Sequence, residues 1–330
     1  MELQGWQKWI AISRRADKPQ AHLSSNLPFV IRYSKDVQEA LAQNSPVVAL
    51  ESTIISHGLP RPINMQVAQE VETIVRQNGA IPATIAVIDG EIHVGLEAEA
   101  LNRVANDPGV LKASIRDLAT VSAKKLSAAT TVAATSHIAH MAGISFFATG
   151  GLGGVHRGAQ ETWDESADLH SLASIPVLVV SAGAKSILDV SATLERLESF
   201  SVPIIGYQTN KFPGFYLSDS GFELEYRAES ADEIAEIWNA RKLVGSDNSG
   251  MVVANPVKNE MDRELHERTL KQGLGAAEAS GVKGKAVTPF LLEYFHSNTH
   301  GESLRVNIEI IKANSKLAAA IAVATSKINK

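Results

Sequence analysis

The chain has 330 residues, 45% of them hydrophobic, so it can bury a large core, and we expect one large α/β domain. A formal net charge of -5 and an aromatic content of 5% supply neither the basic surface nor the stacking rings of a nucleic-acid-binding protein. Cysteine is absent, which excludes disulfides and thiolate metal sites. No apolar run approaches the ~20 residues that a membrane helix needs, which predicts a soluble protein without a membrane partner.

The first thirty residues lack the sustained hydrophobic periodicity of the later chain. We predict a targeting or flexible extension at 1–30, followed by a single domain at 31–330. Within the extension, Arg15-Ala16, five further residues and then His22-Leu23 resemble the amino-terminal peroxisomal targeting nonapeptide, which predicts a peroxisomal location. An inert tail, another organelle and the cytoplasm are the alternatives.

Strand and helix patterns alternate from about Pro46 onward, as in a layered α/β fold. A buried strand is predicted at 47–50, and a helix follows it, with Asn64 as its amino-terminal cap and Gly79 as its end. Asp89-Gly90 lies between two apolar segments, which predicts a hairpin and therefore an antiparallel pair of strands.

The second half of the chain continues the alternation. Buried strands are predicted at 145–148, 177–180 and 203–207, and helices at 188–200 and 231–242. These elements, together with the hairpin, predict a mixed, mostly parallel sheet. The loop-like segment 244–250 is a candidate domain boundary, because it is rich in glycine, serine, asparagine and aspartate.

Two potentially catalytic side chains follow the ends of predicted strands. Glu51 closes the apolar run 47–50, and Lys185 follows the run 177–184. In α/β sheets such strand ends hold the active site. A lysine held there, partly dry and close to an acid, can lose its proton and attack a carbonyl or an anomeric carbon. This pair predicts covalent imine catalysis.

A glycine-rich segment at 149–158 follows a predicted strand, so its backbone amides could form a nest for an anion such as phosphate. A tight turn without a ligand is the alternative. The segment does not match a dinucleotide fingerprint, because His156 stands where the third glycine belongs. The polar clusters at 112–117 and 130–131 could bind phosphate or an amide edge.

An acidic segment, Asp164-Glu165-Ser166-Ala167-Asp168, comes shortly after the glycines. Its oxygen atoms suit a hard divalent cation or sugar hydroxyls, and Mn²⁺ or Mg²⁺ is favoured over Zn²⁺ because cysteine is absent and histidines are few nearby. A solvated start of a helix is the alternative interpretation.

Taken together, these segments resemble the pseudouridine-5'-phosphate glycosidases, relatives of the protein encoded with indigoidine biosynthesis. The resemblance is densest at 49–58, 148–168 and 181–189. It implies reversible cleavage of pseudouridine 5'-phosphate to uracil and ribose 5-phosphate, small-molecule substrates, a three-layer α/β/α fold and a homotrimer. The front extension is typical of a plant-type organellar member.

The same resemblance implies roles for particular residues. Lys185 corresponds to the nucleophile, Glu51 to the proton donor, and Asp164 to the ligand that holds Mn²⁺ largely through waters. Further residues that match substrate-contacting or active-site segments are Lys112, Val132, Thr149, His156, Ser166, Ala167, Asp168 and Asn307. An ordinary lysine is almost fully protonated at neutral pH, so the nucleophile needs burial or a neighbouring cation, for which we nominate Lys112.

The chain departs from the family pattern at Ala128, Glu165 and Arg305, of which Glu165 bears most on the metal, as a further carboxylate beside Asp164. Two other functions stay open. A carbohydrate kinase or related phosphate-binding enzyme would use the glycine loop for phosphate and would form no imine. A catalytically silent protein of this fold would bind ribose 5-phosphate without turnover.

Overall fold

The computed structural model describes residues 31–282 and 286–328. The extension predicted at 1–30, with its peroxisomal motif at 15–23, lies outside the described residues. Within them the strands are β1 Ile31–Tyr33, β2 Val47–Leu50, β3 Ile81–Ile88, β4 Glu91–Val94, β5 Leu111–Ala113, β6 Ala128–Thr130, β7 Phe146–Ala148, β8 Leu178–Ser181, β9 Ile204–Tyr207, β10 Tyr226–Ala228 and β11 Met251–Ala254.

The helices begin after β1. They are α1 Lys35–Ala42, α2 Ile63–Gln77, α3 Ala98–Asn106, α4 Ile115–Ala123, α5 Val132–Met141, α6 Ala159–Thr162, α7 Ala167–Ser174, α8 Val190–Ser199, α9 Ala231–Leu243, α10 Arg263–Ala279, α11 Val287–Asn298 and α12 Glu302–Ile328, with a π-helical turn at Ile54–Gly58. None of these helices is both long and apolar enough to cross a membrane.

The strands form one sheet in the order β1-β4-β3-β2-β7-β8-β11-β9-β10, with β6 beside β3 and β5 beside β6. Among the described strands, β3 pairs antiparallel with β4 and β6, and the other pairings are parallel. The hairpin between β3 and β4 turns at Asp89 and Gly90, both with positive φ. The predicted mixed, mostly parallel sheet is confirmed.

Both faces of the central strands are buried, because successive side chains point to opposite sides. In β2, Val47 and Ala49 pack into a cluster with residues of α1, α5, α7 and α8. Val48 and Leu50 pack on the other side with residues of α2, α9 and α12. Helices therefore cover both faces, and the three-layer α/β/α arrangement is confirmed.

Two local predictions are wrong. Asn64 is not the cap of α2, because Pro62 holds that position and Asn64 is buried inside the helix. Its side-chain amide donates to the carbonyls of Ile55 and Ala105, at 2.8 Å each, so it ties the π-helical turn to α3. Gly79, by contrast, follows the end of α2 with φ +84° and confirms the predicted stop.

The second error is the candidate boundary at 244–250. This loop leads from α9 into β11, which pairs with β8 on one side and β9 on the other, so the chain before and after the loop shares one sheet. The buried Arg241 side chain holds the loop by donating to the carbonyls of Ser246 and Ser249. The polar residues of this segment therefore form a turn that Arg241 anchors, within one domain.

Candidate active site

The carboxyl ends of three neighbouring parallel strands meet at an open cavity of about 370 Å³. Glu51 follows β2, the glycine-rich loop follows β7, and Lys185 lies four residues after β8. Because β2, β7 and β8 are adjacent and parallel, these three segments leave the sheet on the same edge. The predicted nucleophile and the predicted acid are therefore brought to one cavity.

Nearly all of the predicted site residues line this cavity. Those at its wall are Glu51, Lys112, Val132, His156, Asp164, Ser166, Ala167, Asp168, Lys185 and Asn307. Thr149, fully buried, lies behind Glu51 and donates its hydroxyl hydrogen to Glu51 Oε1. The structure thus gathers residues from seven separate segments of the chain at one place.

The Glu51 carboxyl group is held at both of its oxygens. Thr149 contacts Oε1, and Thr53 Oγ1 lies 2.9 Å from Oε2. The carbonyl of Thr149 accepts a hydrogen bond of 2.7 Å from the buried amide of Asn314, which fixes the end of β7. Glu51 is therefore an acid whose orientation is set by the fold rather than by solvent.

Lys185 is held by the glycine-rich loop. Its Nζ donates to the carbonyl of Gly151 at 2.5 Å, and its own backbone N–H donates to the Leu152 carbonyl. Two residues earlier, Gly183 has φ +74°, and a Cβ there would lie 2.0 Å from the Pro213 carbonyl oxygen. Only glycine fits that turn, which directs the lysine into the cavity.

The glycine-rich loop serves packing more than anion binding. The backbone amides of Leu152, Gly153, Val155 and His156 donate to acceptors within the protein, so they are engaged without a ligand. A Cβ on Gly153 would lie 2.3 Å from the Ser166 hydroxyl. The turn alternative is favoured, and the kinase interpretation loses its phosphate loop.

The three acidic side chains of 164–168 have different surroundings. Asp168 is buried and accepts hydrogen bonds from the backbone amides of Ala133 and Gly153, which joins α5 to the glycine loop. Glu165 pairs with Arg196 of α8 at 2.9 Å. Asp164, one-third exposed, lies with Oδ2 3.9 Å from His156 Nδ1. Among the described residues, Asp164 is thus the carboxylate of this segment that neither pairs with an arginine nor accepts a hydrogen bond from a backbone amide.

The donor set decides what kind of metal site fits. Across 31–282 and 286–328, no group of three or more histidine or acidic side chains is placed to enclose a metal ion. A site built from the Asp164 carboxylate, waters and substrate oxygens suits Mg²⁺ or Mn²⁺, which commonly keep several waters. The part of the chain that the structure describes therefore fits a water-rich site better than a cage of protein ligands.

The pKa of His156 reflects the charged groups around the cavity. Burial lowers the pKa of its imidazole, the carboxylate of Asp164 opposes this shift, and the positive charges of Lys112 and Lys185 add to it. The pKa of His57 is also lowered, chiefly by burial, with Lys112 contributing. Lys112 and Lys185 therefore both act on the His156 ring. The nomination of Lys112 as a cation that influences Lys185 stays a prediction.

Two cations and the starts of two helices lie at the cavity wall. Lys112 and Arg116 line the cavity, and Val132 and Ala167 are the first residues of α5 and α7. The amides of Ala133, Ala134 and Asp168 at these helix starts already donate to acceptors within the protein. The two positive side chains are therefore what attracts an anion here. This end of the cavity suits a phosphate group.

The sequence analysis missed a mostly apolar part of the cavity wall. Ile54, Phe215, Thr288, Pro289 and Leu292 line it. Asn307, only 2% exposed, also reaches the cavity, and its Oδ1 has no hydrogen-bond partner among the described residues. A buried acceptor without a donor invites an N–H group of a ligand. The local sequence of α11 carries no motif that could have revealed this wall.

A buried histidine supports the lysine segment from outside the cavity. His266 of α10 contacts the Ser186 hydroxyl at 2.8 Å and packs against Tyr216 and Phe295. Burial, with smaller effects of Arg263 and Arg157, lowers the pKa of His266 to about 4. The folded protein therefore holds this ring neutral where an unfolded chain would protonate it.

This depressed pKa predicts a pH-dependent stability. Between about pH 6.5 and pH 4 the unfolded chain binds a proton at His266 that the folded chain does not, so stability falls as pH falls, by up to about 3 kcal/mol from this group. Urea unfolding at pH 7, 6 and 5 would measure it, with His266→Gln as the comparison. Equal pH slopes for the two proteins would contradict the prediction.

Comparisons with known proteins identify the family to which the chain belongs. The family model for indigoidine synthase A like protein matches residues 36–324. The pseudouridine-5'-phosphate glycosidase of Salinispora tropica is 52% identical over 316 residues, covering 95% of this chain and 97% of its own. That of Staphylococcus aureus is 49% identical over 306 residues, covering 92% and 99%.

Two solved structures share the fold. The prealnumycin C-glycosynthase AlnA, in complex with ribulose 5-phosphate, superposes with a TM-score of 0.84 at 32% identity, covering 91% of this chain and 98% of its own. An indigoidine synthase A-like protein from Thermotoga maritima gives 0.81 at 35% identity, covering 91% and 97%. With the family model matching most of its length, the chain belongs to the indigoidine synthase A-like family.

Proposed function

We propose that this chain cleaves the C-glycosidic bond of pseudouridine 5'-phosphate, reversibly, to uracil and ribose 5-phosphate, and that it serves pseudouridine catabolism. The observation that carries the proposal is the placement of Lys185 and Glu51 in one cavity that also offers a cationic, phosphate-suited end. Relatives about 50% identical over most of the chain are glycosidases of this substrate. A sugar-phosphate ligand in AlnA supports the same substrate class.

The chemistry explains why a lysine accompanies the acid. An ordinary glycosidase expels an oxygen leaving group by protonating it, whereas here the leaving atom is C5 of uracil. In the proposed reaction Glu51 protonates the ribose ring oxygen as the C1′–O4′ bond breaks, and Lys185 Nζ bonds to C1′. Nζ then loses a proton, and its lone pair drives cleavage of the C1′–C5 bond. The electron pair of that bond stays with uracil C5, which takes up a proton, and C1′ becomes an iminium that water hydrolyses.

The two ends of the cavity divide substrate recognition. We place the phosphate near Lys112 and Arg116, because two positive side chains at the cavity wall favour an anion there. The base lies against the wall formed by α11 and Phe215. Asn307 Oδ1 then accepts a hydrogen bond from a ring N–H of uracil, which satisfies the buried acceptor.

A divalent cation, Mn²⁺ or Mg²⁺, completes the proposal. It would be held by Asp164 and waters, and when bound it would orient sugar and phosphate oxygens and offset their charge. His156 Nδ1 lies 3.9 Å from Asp164 Oδ2, beside the proposed metal position. Glu165 takes no part, because Arg196 already engages it.

Removal of the metal ligand should therefore raise the metal requirement. After treatment with a chelator, we expect Asp164→Asn to need at least about tenfold more Mn²⁺ than the unaltered enzyme for half-maximal activity. Glu165→Gln is the matched control, a neighbouring carboxylate whose loss should leave the Mn²⁺ requirement unchanged. The assignment fails if Glu165→Gln shifts the Mn²⁺ titration and Asp164→Asn does not.

One experiment tests the function as a whole. The purified chain is incubated with pseudouridine 5'-phosphate and Mn²⁺, and the release of uracil and ribose 5-phosphate is followed. A parallel sample receives ribose 5-phosphate and borohydride, and peptide mass spectrometry locates the reduced adduct. Uracil release together with an adduct on Lys185 supports the proposal. Binding of ribose 5-phosphate without either would favour the silent binding protein.

Assembly and location stay predictions. The family resemblance predicts a homotrimer, which light scattering of the eluting protein would measure. The motif at 15–23 predicts import into peroxisomes, which imaging of the tagged full chain, with and without Arg15→Ala, would test. A cytoplasmic pattern for the unaltered chain would overturn that prediction.

A further inference from the structure

The hydrogen bonds around Thr53 contain a conflict over one proton. Thr53 Oγ1 lies 2.5 Å from the carbonyl oxygen of Thr130 and 2.9 Å from Glu51 Oε2. A hydroxyl carries a single hydrogen, and a backbone carbonyl can only accept one. When that hydrogen points to Thr130, the contact with Glu51 is a hydrogen bond only if Oε2 carries a proton itself.

The other oxygen of Glu51 has no such conflict. Thr149 Oγ1 contacts Oε1, and its hydrogen serves Oε1 whether or not the carboxyl group is ionised. The two threonines therefore distinguish the oxygens. Oε1 is always an acceptor, and Oε2 is the oxygen at which a proton can be gained and lost while every hydroxyl hydrogen stays bonded.

The Thr130 side of the contact is rigid. Thr130 is fully buried at the end of β6, its Oγ1 donates to the Ile85 carbonyl at 2.7 Å, and its backbone N–H donates to Ser52 Oγ at 2.9 Å. Thr135 Oγ1 lies 2.8 Å from Thr130 Oγ1. The Thr130 carbonyl is thus a fixed acceptor, and the hydroxyl of Thr53, 8% exposed, lies between it and the acid.

We propose that the Thr53 hydroxyl turns with the proton of Glu51. While Oε2 is protonated, Oε2 donates to Thr53 and Thr53 donates to the Thr130 carbonyl. As the C1′–O4′ bond breaks, its electron pair goes to O4′, which takes the proton from Oε2, and Thr53 then turns to donate to the new carboxylate. The return of the proton reverses the turn.

This inference rests on the proposed function, and it adds a positioning residue that acts through Glu51. A reversible reaction needs Glu51 as an acid in one direction and a base in the other, so neither protonation state can be left without hydrogen bonds. A hydroxyl that both donates and accepts serves both states, whereas a fixed donor would serve only the carboxylate.

The test compares a sugar that must open its ring with one that has no ring. Ribose 5-phosphate is cyclic and needs Glu51 to open it. 4-Deoxyribose 5-phosphate lacks O4, so its C1 aldehyde is always open, while its length and phosphate are unchanged. The initial rate of borohydride-trapped adduct on Lys185 is measured with each sugar, for the unaltered chain, Thr53→Val and Thr53→Ser.

We expect Thr53→Val to lower the initial trapping rate with ribose 5-phosphate by about tenfold and that with 4-deoxyribose 5-phosphate by less than about twofold. The kcat of Thr53→Val for pseudouridine 5'-phosphate should fall by about as much as its trapping rate with ribose 5-phosphate, while KM changes little. Thr53→Ser keeps the hydroxyl and should restore the trapping rate and kcat. Thr325→Val, the same change at a buried threonine of α12 whose hydroxyl donates to the Ile321 carbonyl, should trap both sugars at the unaltered rate.

Three results would overturn the inference. In the first, Thr53→Val traps ribose 5-phosphate as fast as the unaltered chain does. In the second, Thr53→Val lowers the trapping rate equally with both sugars. In the third, Thr53→Ser is as slow as Thr53→Val. Should Thr53→Val not fold, Thr53→Cys keeps the volume with a much weaker hydrogen-bonding group and gives the same comparison. If the unaltered chain itself traps no ribose 5-phosphate, the proposed function fails first, which separates the two failures.

Discussion

Lys185→Met is expected to lower kcat for cleavage of pseudouridine 5'-phosphate by at least about 10⁴-fold and to abolish the borohydride-trapped adduct. Methionine keeps the unbranched length of the side chain but has no amine, so no bond to C1′ can form. The backbone around it should persist, because it depends on Gly183 and on the hydrogen bond between Lys185 N–H and Leu152. Single-turnover uracil release and peptide mass spectrometry measure the two effects.

The second lysine of the cavity is the matched control for that experiment. Lys112→Met removes the same group from the phosphate-suited end, so we expect a higher KM while an adduct still forms on Lys185. If an adduct persists in Lys185→Met, or disappears only in Lys112→Met, Lys185 is not the nucleophile and the imine forms on another amine.

Glu51→Gln should lower kcat by about 10²- to 10⁴-fold in both directions of the reaction. Glutamine has the same size and can still meet Thr149 and Thr53, but it has no carboxyl proton to give to the ring oxygen. Because the same group returns that proton in synthesis, uracil release and uracil addition should slow together. Both rates can be measured by separation of uracil from pseudouridine 5'-phosphate.

The sugar that cannot close a ring sharpens this prediction. Glu51→Gln should still form a trapped adduct with 4-deoxyribose 5-phosphate, since no ring oxygen has to be protonated. If Glu51→Gln lowers the trapping rate with 4-deoxyribose 5-phosphate as much as that with ribose 5-phosphate, Glu51 positions Lys185 or the sugar instead of transferring a proton. Asp117→Asn, another carboxylate at the cavity wall, should leave both rates within about threefold.

Several features of the fold follow from local sequence. The alternation of apolar strands with helical stretches predicts the layered sheet, since a strand buried on both faces must be apolar throughout. Asp89-Gly90 predicts the hairpin because both residues tolerate the positive φ that a two-residue turn requires. Asn64 is the exception, because a buried tertiary role overrides the preference of asparagine for a helix cap.

The sequence by itself determined which residues stand at strand ends, and therefore that Glu51 and Lys185 are available for chemistry at one edge of the sheet. Only the tertiary structure decided what surrounds them: the wall from α11, the pairing of Glu165 with Arg196, and the contact of Thr53 with Thr130, 77 residues away. Periodicity records which face of an element is buried. It does not record which distant element covers that face, because that choice depends on the order of strands and on packing across the whole sheet.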